Sequence, residues 1–173
     1  MELLDQFKST RTFIFDVDGV LTDSMVLLLE NGVQARRMSI KDGLALQLAL
    51  RNGYRVVIVS GAYSAPVVER LQYLGLTDIF TAVKDKRGFL QRFAEEEQLD
   101  LQTAVFMGDD LPDLPALSVV GLPCCPADAV QEVKEASRYI STVNGGAGCV
   151  RDVIEKVLRQ NGHWHYEAGL TSK

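Results

Sequence analysis

FIFDVDGVLT, residues 13–22, is the stretch that decides the fold, because an apolar run is followed at once by two aspartates one residue apart and a glycine. A short apolar run bounded by turn residues is typical of a strand that is buried on both faces. We therefore predict a strand over 12–17. Carboxylates are costly to bury, so Asp16 and Asp18 at the end of this strand need a partner or a function.

The rest of the chain repeats this pattern, with short apolar runs between segments whose apolar residues recur every three or four positions. The predicted strands cover 12–17, 54–60, 78–83, 103–108, 119–124 and 138–141. The predicted helices cover about 43–51, 65–74, 87–98, 112–118, 129–136 and 149–160. Ser64 is the expected N-cap of the second helix, and Asn161 with Gly162 is the expected stop of the last. Alternating strands and helices predict a doubly wound, Rossmann-like α/β fold with a parallel sheet.

One segment, 25–39, interrupts the alternation. It contains two β-prone runs on either side of Asn31 and Gly32, and Asn-Gly between such runs predicts a β-hairpin. The first arm is too apolar to stand in water on both faces, so we expect it to contact further copies of the chain. We expect a single domain over 1–173, with the hairpin in place of a large cap domain and a C-terminal tail over about 162–173.

Composition excludes several classes of partner. Lys and Arg number 18 against 23 for Asp and Glu, so the net charge of -5 provides no basic surface for nucleic acid. The chain begins without the pattern of a signal peptide, and no apolar run is long enough to span a membrane. We expect a cytoplasmic protein with no nucleic-acid or membrane partner. Cys124, Cys125 and Cys149 form no C-x-x-C pair and are interpreted as buried thiols, while His163 and His165 are assigned to the tail rather than to a metal site.

Polar groups follow several of the predicted strands. Besides Asp16 and Asp18, these groups are Ser60 with Gly61, Lys86, and Asp109 with Asp110. In an open α/β sheet, ligands bind in the crevice beyond the carboxyl ends of the strands. Carboxylates gathered in one crevice repel one another unless a cation holds them, and oxygen ligands favour a hard ion such as Mg²⁺, which also binds phosphate oxygens. The lysine and the hydroxyl would then meet a phosphoryl group from the other side.

The four segments FDVDGVLTD, VSG, Lys86 and GDDLPD resemble, in order and spacing, the four motifs of the haloacid dehalogenase superfamily of phosphohydrolases. Two further segments, MSIKDGLALQLAL and NGGAGCVRDVIEKVL, resemble the small, capless, tetrameric subgroup that contains the 3-deoxy-D-manno-octulosonate 8-phosphate (KDO 8-phosphate) phosphatases. This resemblance implies hydrolysis of a sugar-acid phosphate by a homotetramer that associates through the hairpin. The alternatives are a phosphatase for a related nonulosonate 9-phosphate and a non-catalytic tetramerising module.

The resemblance also implies residue roles. Asp16 would attack phosphorus and form an aspartyl phosphate, while Asp18 would protonate the leaving oxygen and later activate water. The implied Mg²⁺ ligands are the carboxylate of Asp16, the main-chain carbonyl of Asp18 and Asp109. Asp110 would be a further ligand or a neighbour of the metal shell, and Asp113 would orient Lys86 or that shell.

The implied phosphate-binding groups are Ser60, the Gly61 amide and Lys86. Relatives often carry arginine at the positions of Ala62 and Ala147, so two expected contacts to a sugar-acid carboxylate are absent from this chain. Four other cations are candidates to replace them, although each type is more often a surface residue: Arg36, Arg37, Lys41 and Arg151.

A receiver-type phosphorylation switch is an alternative of another class, since it also combines an acidic crevice, a hydroxyl and a lysine on a doubly wound sheet. The D-x-D pair on the first strand argues against it. Any single aspartate could be a helix cap or a turn residue. The order of all the motifs, each at a strand end, favours a catalytic site.

Overall fold

The computed structural model describes residues 2–165 and 169. Its strands are β1 (Thr12–Phe15), β2 (Leu27–Leu28), β3 (Gln34–Ala35), β4 (Arg55–Val59), β5 (Asp78–Phe80), β6 (Ala104–Met107), β7 (Leu122–Cys125) and β8 (Tyr139–Ile140). Its helices are α1 (Leu3–Ser9), α2 (Ile40–Arg51), α3 (Ala65–Tyr73), α4 (Lys86–Glu96), α5 (Leu114–Leu117), α6 (Gln131–Ala136) and α7 (Cys149–Gln160).

Six of the strands form one parallel sheet in the order β5-β4-β1-β6-β7-β8. The strand that precedes the two aspartates lies inside this sheet, since Phe13 of β1 is level with Val56 of β4 on one side and Val105 of β6 on the other. The doubly wound α/β prediction is therefore confirmed. The carboxyl ends of β4, β1 and β6 lie side by side, which brings the polar groups that follow them to one edge.

Helices cover both faces of the sheet, which explains why β1 is apolar at every position. Phe13 and Phe15 pack with α2, α3 and α7 on one face, whereas Ile14 packs with α4, α5 and α6 on the other. All three side chains are fully buried. A strand buried on both faces reads as a continuous apolar run rather than as an alternating one, as observed here.

The bounds of several elements differ from those predicted. Strand β1 ends at Phe15 rather than residue 17, because the chain enters a tight turn over Val17–Leu21. Helix α1 was not predicted, since it has only seven residues and Phe7 is its one buried side chain. Ser64 does occupy the N-cap position of α3, but its side chain makes no capping hydrogen bond. Helix α7 ends at Gln160, as predicted from Asn161 and Gly162.

The inserted segment forms a β-hairpin, as predicted, although the paired region is shorter than 25–39. Strand β2 pairs antiparallel with β3, and the turn over Glu30–Gly32 is closed by a hydrogen bond from the Leu29 amide to the Val33 carbonyl. A further antiparallel bridge joins Thr22 to Met38 at the base. Within the described residues, the insertion between β1 and α2 is this hairpin and not a separate cap domain.

The minor predictions have mixed outcomes. The three cysteines are buried free thiols, as expected, and the His163 ring lies 3.0 Å from the Tyr54 hydroxyl, so it packs against the body of the protein. Most of the predicted tail, residues 166–168 and 170–173, lies outside the described residues. No helix in the described part of the chain has the length and apolar character that crossing a membrane requires.

Asp42 joins the two helices that pack most extensively on one face. It lies in the first turn of α2, is almost completely buried, and accepts a hydrogen bond of 2.7 Å from the Arg151 amide in the first turn of α7. Its other oxygen has no hydrogen-bond partner in the described structure. Burial raises the pKa of Asp42 to about 6, and the contacts with Arg151 only partly oppose the effect of burial.

This raised pKa predicts a specific pH dependence of stability. In the unfolded chain Asp42 titrates near pH 4, so its burial destabilises the folded state above about pH 6 and ceases to do so as pH falls below about 4. The free energy of unfolding of Asp42→Asn, relative to wild type, should be higher at pH 7.5 than at pH 4.5 by about 2 kcal/mol. Urea unfolding in metal-free buffer at the two pH values measures this difference. The same comparison with Asp5→Asn, at an exposed carboxylate, is the control, and an equal difference in both variants would refute the assignment.

Candidate active site

The carboxyl ends of β1, β4 and β6 open into a cavity of about 460 Å³. This cavity collects every site residue predicted from the sequence: Asp16, Asp18, Ser60, Gly61, Lys86, Asp109, Asp110 and Asp113. Ser24, Ala62, Val83, Lys84 and Pro112 complete its lining. The motifs lie far apart in the chain, so they meet here only because adjacent parallel strands end at the same edge.

Lys86 is the centre of the buried polar network. Its ammonium lies 2.8 Å from Asp16 Oδ1 and 2.6 Å from Asp113 Oδ1, and all three side chains are almost fully buried. Burial by itself lowers the pKa of Lys86, but the charges of Asp16 and Asp113 outweigh it and leave that pKa raised. The lysine therefore stays a cation, and it joins the loops that follow β1 and β6.

Asp113 holds the acidic loop in shape. Its Oδ2 accepts hydrogen bonds from the amides of Asp109 (2.9 Å) and Asp110 (3.4 Å), while its Oδ1 accepts the bond from Lys86. The carboxylate of Asp110 instead accepts a bond from the Leu111 amide and caps the short turn over Leu111–Asp113. Asp113 thus fixes the direction of the neighbouring carboxylates.

Two glycines allow the loops to approach one another. Gly19 has φ of 88°, and a β-carbon there would overlap the carboxylate of Asp109. Gly145 packs against the main chain on the other side of the same turn, where a β-carbon would overlap the Gly19 carbonyl. The glycine motif near the C-terminus therefore supports the D-x-D turn from behind. The spacing of these glycines along the chain does not predict this contact.

Three carboxylates crowd together on one side of the cavity. One oxygen each from Asp16, Asp109 and Asp113 lie within 4.8 Å of one another. Burial, followed by the charge of Asp113, raises the pKa of Asp16 to about 6, against the opposing effect of Lys86. Burial, together with the charges of Asp16 and Asp113, raises the pKa of Asp109 to about 7. Buried oxygen donors that repel one another fit a hard divalent cation.

Asp18 faces a different neighbour from Asp16. Its two carboxylate oxygens accept hydrogen bonds from Arg36, at 2.6 Å from Nε and 3.4 Å from Nη2. The side chain of Arg36, from the end of the hairpin, is only 10% exposed. From the sequence, Arg36 is only one of four candidate cations. Ser24, whose hydroxyl donates a 3.3 Å hydrogen bond to Asp109, is not predicted to belong to the site. Nothing in the spacing of the motifs indicated Ser24.

Ser60 and Gly61 form the wall across from the acidic cluster. Ser60 follows β4 and is 3% exposed, and its hydroxyl oxygen accepts a bond from the Ala62 amide at 3.2 Å. The hydroxyl hydrogen can therefore still be donated to a ligand. With the Lys86 ammonium nearby, the cavity offers donors on one wall and carboxylates on another, an arrangement that can bind a phosphoryl group beside a nucleophile.

The chain is similar to known hydrolases and phosphatases. Residues 72–154 match the family model for haloacid dehalogenase-like hydrolases. The chain is 29% identical to the 3-deoxy-D-manno-octulosonate 8-phosphate phosphatase KdsC of Escherichia coli K12 over 161 residues, which are 93% of this chain and 86% of that protein.

Solved structures extend the comparison. The Moraxella catarrhalis 3-deoxy-D-manno-octulosonate 8-phosphate phosphatase, in complex with magnesium, phosphate and KDO, is 31% identical with a TM-score of 0.87, covering 91% of this chain and 90% of that one. A probable YrbI family phosphatase from Pseudomonas syringae is 33% identical with a TM-score of 0.90, covering 94% and 92%. The chain therefore belongs to the haloacid dehalogenase-like hydrolases, as a phosphatase that resembles the 3-deoxy-D-manno-octulosonate 8-phosphate phosphatases.

Proposed function

We propose that the chain is a Mg²⁺-dependent phosphatase that converts 3-deoxy-D-manno-octulosonate 8-phosphate into KDO and phosphate, a step in the supply of KDO for lipopolysaccharide. The observation that carries the proposal is the placement of buried Asp16 beside Asp18, Ser60 and Lys86 in one cavity. The similarity to phosphatases named for this substrate supports the choice of sugar acid.

In the proposed reaction, one carboxylate oxygen of Asp16 attacks phosphorus in line with the sugar oxygen. A bond forms between Asp16 and phosphorus, the bond from phosphorus to the sugar oxygen breaks, and Asp18 donates a proton to that oxygen. Asp18, now a carboxylate, removes a proton from a water that attacks the aspartyl phosphate. Phosphate leaves, and both aspartates return to their initial states.

The remaining groups bind the phosphoryl oxygens. Lys86, the Ser60 hydroxyl and the Gly61 amide donate to them and stabilise the charge that develops in the transition state. Asp113 acts through Lys86, since it receives the second hydrogen bond of the same ammonium. A lysine held by two carboxylates keeps its position while the phosphoryl group arrives and leaves.

Mg²⁺ fits the acidic side of the cavity. The carboxylates of Asp16 and Asp109, with the Asp18 carbonyl, would hold it, because both oxygens of Asp113 are already engaged by Lys86 and by backbone amides. When bound, the ion supplies positive charge that offsets the repulsion between the Asp16 nucleophile and an anionic phosphate ester.

We also propose that the chain assembles as a homotetramer through the hairpin. Residues 25–29 and Val33 are all apolar and solvent-exposed, from 43% for Val26 to 71% for Leu28. A contiguous apolar surface of this kind usually marks a protein interface. In a closed assembly each hairpin would cover a neighbour's crevice, which has no cap domain of its own. The predicted cytoplasmic location remains part of this proposal.

The first test concerns the nucleophile. Asp16→Asn should lower turnover of p-nitrophenyl phosphate by more than about 10³-fold, because an amide cannot form the acyl phosphate. Initial rates with saturating Mg²⁺ measure this, and thermal unfolding checks that the variant is folded. Asp23→Asn is the matched control, since Asp23 lies in the same loop but pairs with Arg37 outside the crevice. Substantial hydrolysis by folded Asp16→Asn would exclude the mechanism.

The second test concerns the metal. Chelation should abolish hydrolysis, and added Mg²⁺ should restore it. Asp109→Asn should raise the Mg²⁺ concentration for half-maximal activity by more than about 10-fold, because it removes one anionic ligand. Calorimetric titration of Mg²⁺ into the metal-free protein provides a readout that does not depend on activity. Wild-type activity that persists in excess chelator would contradict the proposal.

The third test concerns the assembly. Leu27→Asp combined with Leu29→Asp should convert a species of four times the 19.1 kDa chain mass into smaller species, because the introduced charges cannot be buried at an interface. Sedimentation velocity measures this. Leu4→Asp, at an exposed leucine of α1, is the control and should leave the mass unchanged. Activity on the sugar phosphate should fall much more than activity on p-nitrophenyl phosphate, and a monomeric, fully active wild type would refute the proposal.

A further inference from the structure

Arg36 is an arginine that the fold buries against Asp18, one of the residues that line the crevice. It follows strand β3, and its guanidinium binds both oxygens of Asp18. The next residue, Arg37, pairs with Asp23 on the outside and is 89% exposed. Burying a guanidinium is costly unless an anion accompanies it. The contrast between two adjacent arginines indicates that the buried position of Arg36 serves the site.

Arg36 also lies beside the loop that follows β4 and carries Ser60. It lines a small pocket of about 10 Å³ together with Asp18, Ser60 and Ala62. Ala62 lies in the same loop as Ser60, and its methyl side chain contributes no charge to this wall. The guanidinium at the same wall comes instead from the hairpin, a different segment of the chain.

The fork of a guanidinium matches a carboxylate, which it binds through two parallel N–H donors. In the structure Asp18 occupies that fork. Asp18 binds Arg36 as a carboxylate, so before it can donate a proton to a leaving oxygen it must turn away from Arg36 and take up a proton from solvent. This movement would leave a buried cation without an anion. A carboxylate on the substrate can fill the fork as Asp18 leaves it.

We propose that Arg36 is a specificity-determining residue that binds a carboxylate on the leaving group in exchange for Asp18. This inference rests on the proposed function, since it assigns Asp18 the role of proton donor. The proposed substrate belongs to the class that such a residue would select, a phosphate ester whose alcohol also carries a carboxylate, and the inference assigns that selection to Arg36. Such a substrate both binds Arg36 and frees Asp18, so the carboxylate should raise kcat as well as lower KM.

The test uses two six-carbon phosphate esters that differ at one carbon. 6-Phosphogluconate has a carboxylate at C1, and glucitol 6-phosphate has a hydroxymethyl group there. Wild type with Mg²⁺ should show kcat/KM at least about 10-fold higher for the carboxylate ester, because a site built for that group rejects an analogue that lacks it. Arg36→Met should reduce the ratio of the two values to nearly one. Arg36→Lys should retain part of the ratio, since it keeps the charge but loses the fork.

Two matched controls locate the effect. Arg37→Met removes the same charge from the neighbouring exposed position and should keep the wild-type ratio. Lys84→Met removes an exposed cation that also lines the crevice, and it should keep the ratio too. Gluconate and glucitol are compared in parallel as inhibitors of p-nitrophenyl phosphate hydrolysis, so the comparison does not depend on turnover of the larger esters.

Equal kcat/KM for the two esters in wild type, together with equal inhibition by gluconate and glucitol, would overturn the inference. So would an Arg36→Met variant that keeps the wild-type ratio of the two kcat/KM values. Loss of that ratio in Lys84→Met instead would also overturn it. A carboxylate effect confined to KM would overturn the exchange with Asp18. The proposed function is judged separately, since p-nitrophenyl phosphate carries no carboxylate. If wild type with Mg²⁺ releases phosphate from no ester, the proposed function fails. Hydrolysis without a carboxylate preference removes only the role of Arg36.

Discussion

A buried ammonium between two carboxylates is the interaction on which the site depends. Lys86 begins helix α4, and its contacts with Asp16 and Asp113 join the loops after β1 and β6. Removing one member of a buried ion pair typically costs about 3–5 kcal/mol, because the remaining charges lose their partner. Without the lysine, two buried carboxylates would face each other without a cation from the protein. The arrangement therefore requires all three side chains together.

The same network leaves the site with an excess of negative charge. Lys86 offsets part of the charge of Asp16 and Asp113, whereas Asp109 has only the Ser24 hydroxyl as a hydrogen-bonded side-chain partner in the described structure. The pKa values of Asp16 and Asp109 are raised for this reason as well as by burial. Carboxylate oxygens held this close together can bind a divalent cation. Glycine at position 19 is necessary for this closeness, since any β-carbon there would collide with Asp109.

The hairpin connects the site with the outer surface. Its apolar side chains face solvent in the single chain, while the residue just after β3 reaches inward to Asp18. A change in the packing of the hairpin would therefore move Arg36 and alter its contact with Asp18. Within the described residues, this short insertion is the element that contacts the second aspartate through a charged side chain.

The sequence by itself determined the sheet and the set of polar residues that line one crevice. The apolar run of β1 and its D-x-D ending identified a strand buried on both faces, and the order of four polar motifs at strand ends identified the crevice, because parallel strands end at a common edge. Short elements such as α1 were missed, since seven residues with one buried side chain carry little periodicity.

Only the tertiary structure decided which charges meet. Arg36 and Arg37 are adjacent and chemically identical, so no pattern in the sequence could say that one is buried against Asp18 while the other stays exposed beside Asp23. The contact of Gly145 with Gly19 joins segments far apart in the chain, and the partner of Asp42 lies at the start of another helix. Such pairings depend on how the hairpin and the helices pack against the sheet, and this packing is a property of the whole chain rather than of any local stretch.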